Sequence, residues 1–77
     1  MSFLNLGCYT ENTGRTQGQN LGLIGNVNSA YDCQLRCQET DLCEYFVYKE
    51  SLKECVLTSA NAQPVSKTGL VFGPKYC

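Results

Sequence analysis

The clearest hydrophobic pattern lies in the middle of the chain, over residues 29–57. From Ala30 onward, small apolar residues and cysteines recur every three or four positions, which predicts a helix over about residues 29–40. Ser29 is a suitable N-cap, and Asp32 follows three residues later, in the positively polarised first turn. The predicted helix therefore has a defined start as well as a packing face.

Beyond this helix the pattern changes to one typical of β-strands. Residues 44–49 are rich in aromatic and β-branched side chains and predict a strand that is entered at Cys43. Residues 50–53 predict a turn, and residues 54–58 predict the antiparallel return strand. The middle of the chain is thus expected to be a helix followed by a hairpin.

The flanking segments carry weaker patterns. A short strand is predicted near residues 7–10, and the polar segment 11–20 predicts a mobile, solvated loop or, as the less favoured alternative, a loop that contacts a ligand. Residues 21–27 predict a short apolar strand. Residues 59–68 predict a connecting loop before a last strand at residues 70–72.

Two apolar residues of the predicted helix lie away from its cysteine face. On a helical wheel, Tyr31 and Leu35 fall roughly opposite Cys33 and Cys37. Either a second layer of the protein covers them, or they form an exposed pair available to a partner. Burial is the favoured expectation, because apolar pairs at helical spacing are more often core than interface.

The cysteine content indicates the cellular environment. A chain of 77 residues has a small core, and its six cysteines, an even number, are typical of disulfides formed in an oxidising compartment. Structural zinc is disfavoured because there is no histidine and no Cys-x-x-Cys pair, and no calcium-loop spacing is present. We therefore expect a secreted or extracellular protein without a metal or other cofactor.

Charge and hydropathy exclude further classes. The formal net charge is −1 with acidic and basic residues interspersed, which argues against binding to nucleic acid. No apolar stretch approaches the roughly 20 residues of a membrane-spanning helix. Residues 1–7 are expected to be a lead-in or a remnant of expression, too short for a signal peptide, and residues 8–77 a single domain cut from a longer secreted protein.

The spacing within the middle segment carries a family resemblance. Three residues separate Cys33 from Cys37 and five separate Cys37 from Cys43; the remaining signature positions, with short intervening gaps, are Phe46, Tyr48, Cys55 and Leu57. With Cys8 and Cys77 as an outer pair, this pattern resembles the PAN/apple domain over nearly the whole chain. The sequence looks most like one apple repeat of a microneme adhesin from an apicomplexan (coccidian) parasite, and more distantly like the apple domains of contact-phase coagulation proteases. The resemblance implies an α+β fold, with the helix packed on a mainly antiparallel sheet.

The disulfide pairing stays open on the residues alone, since six cysteines allow 15 pairings. Helical geometry disfavours a bond between Cys33 and Cys37, because residues four apart on a helix keep their Cβ atoms about 5–6 Å apart, farther than a disulfide permits. The resemblance to six-cysteine apple domains implies a nested set. In that set Cys8 pairs with Cys77, Cys33 with Cys55, and Cys37 with Cys43.

No catalytic function is expected. Without histidine the chain cannot form a histidine-based triad, and no pair of carboxylates is marked as a tuned acid and base. The resemblance implies a recognition module that binds a host-cell surface protein or glycan, as one repeat of an adhesin stored in the microneme secretory organelle. The alternative is a structural spacer or self-association repeat that contacts only neighbouring repeats and partner adhesins. A secreted toxin or protease inhibitor is less favoured, because no obvious reactive loop is present.

The candidate contact residues follow from side-chain chemistry. Arg15, Lys67 and Lys75 could bind acidic glycans, although scattered basic residues more often keep a surface soluble. Tyr45 could stack on a sugar ring, whereas Tyr48 occupies a core aromatic position of the resembled family.

Overall fold

The computed structural model describes residues 7–77, which form one helix and five strands. The elements in chain order are β1 (Thr10–Arg15), β2 (Asn20–Ile24), α1 (Ala30–Gln38), β3 (Tyr45–Lys49), β4 (Glu54–Thr58) and β5 (Pro64–Pro74). The strands form a single sheet in the order β1-β5-β3-β4-β2, and all the neighbouring pairs are antiparallel. The predicted α+β class, with one helix on an antiparallel sheet, is confirmed. The lead-in expected at residues 1–7 lies, apart from Gly7, outside the described residues.

Helix α1 begins where the sequence predicts. The Ser29 hydroxyl accepts a hydrogen bond from the Asp32 amide at 3.1 Å, so the predicted cap is present. The helix ends at Gln38, slightly before the predicted residue 40. Its buried face consists of Ala30, Cys33, Gln34 and Cys37.

The sheet buries side chains on both of its faces, because residues alternate along each strand. The face under the helix carries Phe46 and Tyr48 of β3 with Cys55 and Leu57 of β4, and these pack with the helix cysteines in one core cluster. The opposite face carries a second cluster of Val47, Val56, Ala62 and Phe72. The β3–β4 hairpin therefore contributes to both clusters, and its predicted strands and turn are confirmed.

The N-terminal flank differs from the prediction in its first strand and its loop, whereas the strand predicted at residues 21–27 is present as β2. The strand predicted near residues 7–10 starts later than expected, because β1 begins at Thr10 and runs through most of the segment predicted to be a loop. Only residues 16–19 connect β1 to β2. The reason lies in the tertiary structure, because β1 is an edge strand whose backbone forms hydrogen bonds with β5. Its polar side chains stay mostly exposed, so the strand forms without burying them.

The predicted loop at residues 59–68 is also too long, because β5 already begins at Pro64. Pro64 is the first residue of the strand, a position that tolerates its missing amide donor, and it lies opposite Arg15. The pairing of β1 with β5 shifts register between Glu11 and Thr13, where Asn12 adopts a positive φ of 53°. The Asn12 side chain accepts a hydrogen bond from the Gly69 amide at 3.2 Å. Long-range pairing, which local composition does not encode, therefore creates this long strand.

The favoured burial of Tyr31 and Leu35 is wrong for Tyr31. Its side chain is 44% exposed, while Leu35 is half-buried. The segment at residues 8–28, expected to supply a covering layer, instead supplies the two edge strands of the sheet. Among residues 7–77, no second layer covers the outer face of α1.

Three disulfides fasten the fold in a nested arrangement. They join Cys8 to Cys77, Cys33 to Cys55, and Cys37 to Cys43, with Cα–Cα distances of 5.8, 5.4 and 5.3 Å. These are the pairs that the resemblance implies. The bond between Cys33 and Cys55 is fully buried and ties the helix directly to β4.

Gln34 is a fully buried polar residue that joins the two ends of the chain. Its Oε1 accepts from the Gly7 amide at 2.7 Å, and its Nε2 donates to the Pro74 carbonyl at 2.9 Å. It occupies the helix position next to the cysteine face, but its polarity gave no sign of burial in the sequence. Its amide thus supports the segments that end in the disulfide between Cys8 and Cys77.

We expect Gln34→Leu to lower the free energy of unfolding by about 2 kcal/mol, because the variant loses two part-buried hydrogen bonds to the backbone of Gly7 and Pro74. The measurement is urea unfolding with the disulfides intact. Gln63→Leu is the matched control, since Gln63 is exposed. Equal unfolding midpoints for the two variants would contradict the role assigned to Gln34.

Candidate functional site

A groove opens on the sheet face opposite the helix. It encloses about 290 Å³, and all five strands contribute to it. The lining residues, which define the basic groove, are Arg15, Asn20, Leu23, Val47, Lys49, Val56, Lys67 and Leu70. Because residues from the two edge strands β1 and β2 line the same groove, the sheet must curl around it.

Backbone hydrogen bonds hold this curl at one end. The connection at residues 16–19 crosses the loop between β4 and β5: the Thr16 amide donates to the Gln63 carbonyl at 3.0 Å, and the Ser59 amide donates to the Gln19 carbonyl at 3.2 Å. The first bond fixes the end of β1 and the second fixes the start of β2. The groove is therefore shaped by main-chain contacts.

The floor of the basic groove is aliphatic. Val47 and Val56 lie directly opposite each other on β3 and β4, and both are buried. Leu23 lies opposite Val56 on β2 and is 52% exposed at the rim. Such a floor can contact the C–H face of a ligand, while specificity must come from the polar rim.

Three cations surround this floor. Arg15 Nη1 donates to the Gly18 carbonyl at 2.8 Å and to the Gln17 carbonyl at 3.3 Å, so the turn after β1 anchors the guanidinium. The remaining N–H donors of this guanidinium can face a ligand. Lys49 projects from the end of β3.

Lys67 is positioned by a glycine. A Cβ atom added to Gly14 would lie 2.9 Å from Lys67 Cδ and 3.0 Å from Leu70 Cδ1. The absence of a side chain at Gly14 therefore lets the Lys67 stem cross β1 closely. This packing holds the stem while the charged end stays exposed.

The electrostatic character of the groove differs from that of the whole chain. Half of the six basic residues line it, whereas none of the seven acidic residues does, although the net charge of the chain is −1. Glu54 is the cross-strand neighbour of Lys49. Within residues 7–77, however, none of the three groove cations forms an ion pair with a carboxylate. The groove is thus a concentrated positive site on a slightly acidic domain.

The structure brings together two of the four predicted contact residues. Arg15 and Lys67 share the basic groove, and Lys49, which the sequence analysis did not select, joins them. Tyr45 does not line the groove; its ring stacks on Phe72 with centroids 5.3 Å apart. Lys49 could have been found from strand alternation, because it lies two positions after the buried Val47.

Lys75 lies elsewhere and already has partners. Its ammonium donates to the Thr40 carbonyl at 3.0 Å and the Asp41 carbonyl at 3.2 Å. It also lies 5.9 Å from the ring centroid of Tyr76. This cation connects the C-terminal segment to the end of the helix region.

A second cavity, also of about 290 Å³, lies near the start of the helix and has a different character. Its lining includes Glu11, Glu50 and the Tyr48 ring. The Tyr48 hydroxyl donates to the Val27 carbonyl at 2.6 Å, so its proton has a fixed partner. Burial raises the pKa of Tyr48 above its usual value, and the nearby charges of Glu50 and Asp32 raise it further.

This raised pKa gives a stability prediction at high pH. Because the folded state holds the proton more tightly than the unfolded chain, the contribution is complete below the ordinary tyrosine pKa of about 10 and is lost as pH rises through the folded-state pKa. We expect the free energy of unfolding of the wild type to fall more steeply above pH 10 than that of Tyr48→Phe. At neutral pH the variant should itself be about 1 kcal/mol less stable, since it loses the bond to Val27.

The measurement is rapid urea unfolding between pH 8 and 11, with disulfide integrity checked at each pH. Tyr76→Phe is the matched control, because it removes the same hydroxyl from a side chain that is 54% exposed. If Tyr48→Phe kept the wild-type slope, the linkage to Tyr48 would be wrong.

Neither a metal-binding cluster nor a membrane-spanning helix is present in the described part of the chain. Over residues 7–77, no group of three or more histidine, cysteine, aspartate or glutamate side chains is arranged to hold a metal ion. No helix in that same range is long and apolar enough to cross a membrane.

Comparison with solved structures identifies the fold. The two N-terminal apple domains of Toxoplasma gondii microneme protein 4 match with a TM-score of 0.78 and 24% identity; the match covers 94% of this chain and 45% of that one. A PAN module from Eimeria tenella matches with a TM-score of 0.67 and 27% identity, over 94% of this chain and 83% of that one. The chain thus spans less than half of the two-domain structure. No curated protein sequence matches the chain.

The family comparison agrees with the fold and with the cysteine framework. The model of the PAN domain matches residues 8–77, from the first cysteine to the last. That range includes the helix, all five strands and the three disulfides. The chain belongs to the PAN domain family and has the fold of the apple domains of Toxoplasma gondii microneme protein 4 and of the Eimeria tenella PAN module.

Proposed function

We propose that this domain is a non-catalytic recognition module of a secreted protein, which binds a host-cell surface protein or glycan as one repeat of a microneme adhesin. The observation that carries the proposal is the basic groove, a concave site with an aliphatic floor and a polar rim on a PAN domain. Similarity to apple domains of a microneme protein supports the adhesin setting.

The groove suits recognition better than catalysis. Its three cations offer N–H donors, but no histidine, cysteine or carboxylate lines it to act as a nucleophile or general base. The groove is also small, at about 290 Å³, as expected of a site with weak affinity for a single ligand group. Tandem copies of such a site can bind a cell surface strongly, because linked sites raise the effective concentration.

The test compares the oxidised 77-residue domain as a monomer and as a tethered tandem, on a glycan array and on intact host-type cells. We expect weak binding by the monomer and a gain of about 10²-fold or more on tethering. Binding to cells without a glycan signal would indicate a protein receptor. Absence of binding on both surfaces would overturn the proposal and favour a structural spacer that contacts only neighbouring repeats.

A further inference from the structure

We infer that the basic groove selects an anionic carbohydrate, one that carries a sulfate or carboxylate group, with Arg15, Lys49 and Lys67 as the residues that bind the anion. The inference rests on the proposed recognition function and names the ligand class of that site. It is carried by the side chains that the fold brings together, because these three residues come from three different strands.

The charges that line the groove favour an anionic ligand over a neutral one. The three cations surround one small volume and, within the described residues, lack carboxylate partners. Positive groups that line one groove repel one another, and an anion bound among them lowers that repulsion while forming charge-assisted hydrogen bonds. The Arg15 side chain is already held by the turn carbonyls. It therefore loses less conformational entropy when a ligand binds.

The lining residues favour recognition of a charged sugar over recognition of a neutral sugar by aromatic stacking. None of the eight lining residues is aromatic, so the groove has no platform for a neutral sugar. Instead, the floor offers Val47 and Val56 to the C–H groups of a ring. Asn20 uses its Oδ1 to accept from the Gly22 amide at 2.9 Å, which leaves its NH₂ group to donate to a hydroxyl.

The size of the groove favours a sugar over an acidic peptide. A volume of about 290 Å³ lies at the lower end of the range for small-molecule sites and accommodates roughly one or two sugar rings. An extended acidic peptide would need a longer basic track. The other cations, Arg36, Lys53 and Lys75, do not line this groove and so do not extend it.

The test uses the oxidised chain and four probes: a heparin hexasaccharide, its fully desulfated N-acetylated form that keeps the carboxylates, a neutral oligosaccharide and a hexaglutamate peptide. We expect the heparin probe to bind, and its affinity to fall between about 0.1 M and 1 M salt as the Debye length shrinks from about 10 to 3 Å. Comparison with the desulfated probe separates sulfate from carboxylate as the anion; binding by either supports the inference.

The matched variants are Lys49→Gln with Lys67→Gln, and Arg36→Gln with Lys53→Gln. Both doubles remove two positive charges, and the side chains of the replaced groove lysines form no hydrogen bond within residues 7–77, so the fold should be retained in both. We expect the groove double to bind the heparin probe roughly tenfold more weakly, the size expected for two partly exposed charge pairs. The control double should bind like the wild type.

Three outcomes would overturn the inference. Equal losses in the two doubles would mean that only net charge matters. Equal or tighter binding of hexaglutamate would show that the groove takes acidic peptides. Binding of the neutral oligosaccharide alone, or of no probe, would also refute the inference. Binding to host-type cells separates this inference from the proposed function. In any of these cases, the tethered tandem of the wild type and that of the groove double could still bind the cells equally well. The recognition function would then stand, and only the assigned ligand class would be wrong.

Discussion

Removal of the disulfide between Cys33 and Cys55 is expected to lower the free energy of unfolding by about 3–5 kcal/mol. The chain-entropy model gives about 3.4 kcal/mol for a loop with a sequence separation of 22 residues. Both cysteines are fully buried between the helix and β4, so their replacement by alanine also leaves a cavity. For a domain of this size, such a loss corresponds to a fall in the melting temperature of roughly 20 °C.

The measurement is thermal and urea unfolding of Cys33→Ala with Cys55→Ala, and the comparison is Cys8→Ala with Cys77→Ala. Chain entropy alone ranks the outer pair higher, because its separation of 69 residues closes a longer loop. We expect the reverse order, since Cys77 is exposed and the strand pairing of β1 with β5 already holds the two ends. A greater loss in the outer variant would contradict this ranking.

Peptide mapping provides the control for both variants. Non-reducing mapping of the native protein should recover the pairs 8–77, 33–55 and 37–43, and each double variant should keep the other two pairs. A different pairing in homogeneous folded material would refute the nested set. A new pairing confined to a variant would show that its stability loss does not report on the missing bond.

Gly73→Ala is expected to destabilise the domain by about 1–3 kcal/mol, although it adds a single methyl group. Gly73 is buried on β5 directly opposite Phe46, and an added Cβ would lie 2.7 Å from Cε1 and Cζ of that ring and 2.8 Å from the Tyr9 Cβ. Phe46 is fully buried and packs edge-on against Tyr9, so the ring cannot move aside without disturbing the core.

Gly22→Ala is the matched control, since it also replaces a strand glycine but has nothing within 4 Å of the added Cβ. We expect it to be neutral or slightly stabilising. A smaller side chain at the partner position should relieve the clash: the cost of Gly73→Ala should fall in a Phe46→Leu background, as measured in a double-mutant cycle. Strict additivity would show that the ring of Phe46 is not the obstacle.

The sequence predicted the centre of this fold well because the signals there are local. The cap at Ser29, the helical cysteine spacing and the aromatic alternation of β3 each depend on residues a few positions apart. The predicted helix and hairpin are accordingly confirmed. The same cysteine spacing, together with the outer pair, is sufficient to indicate the PAN family from the sequence.

The edge strand β1 was not predictable in this way. The polar segment of β1 is a strand only because β5 supplies its hydrogen bonds, and a composition suited to a loop is tolerated at an exposed edge. Gln34 likewise belongs to the core only because Gly7 and Pro74 meet it there. In each case the decisive partner lies at least 27 positions away in the chain.

In the candidate site, too, some residues follow from the sequence and others only from the tertiary structure. Side-chain chemistry alone selected Arg15 and Lys67 as residues able to bind an anion, but it also selected Lys75, whose ammonium is engaged by backbone carbonyls. Local pattern predicted the helix and the hairpin, and the cysteine spacing indicated the family. The curl of the sheet, which depends on long-range strand pairing, determined that Arg15, Lys49 and Lys67 surround one groove.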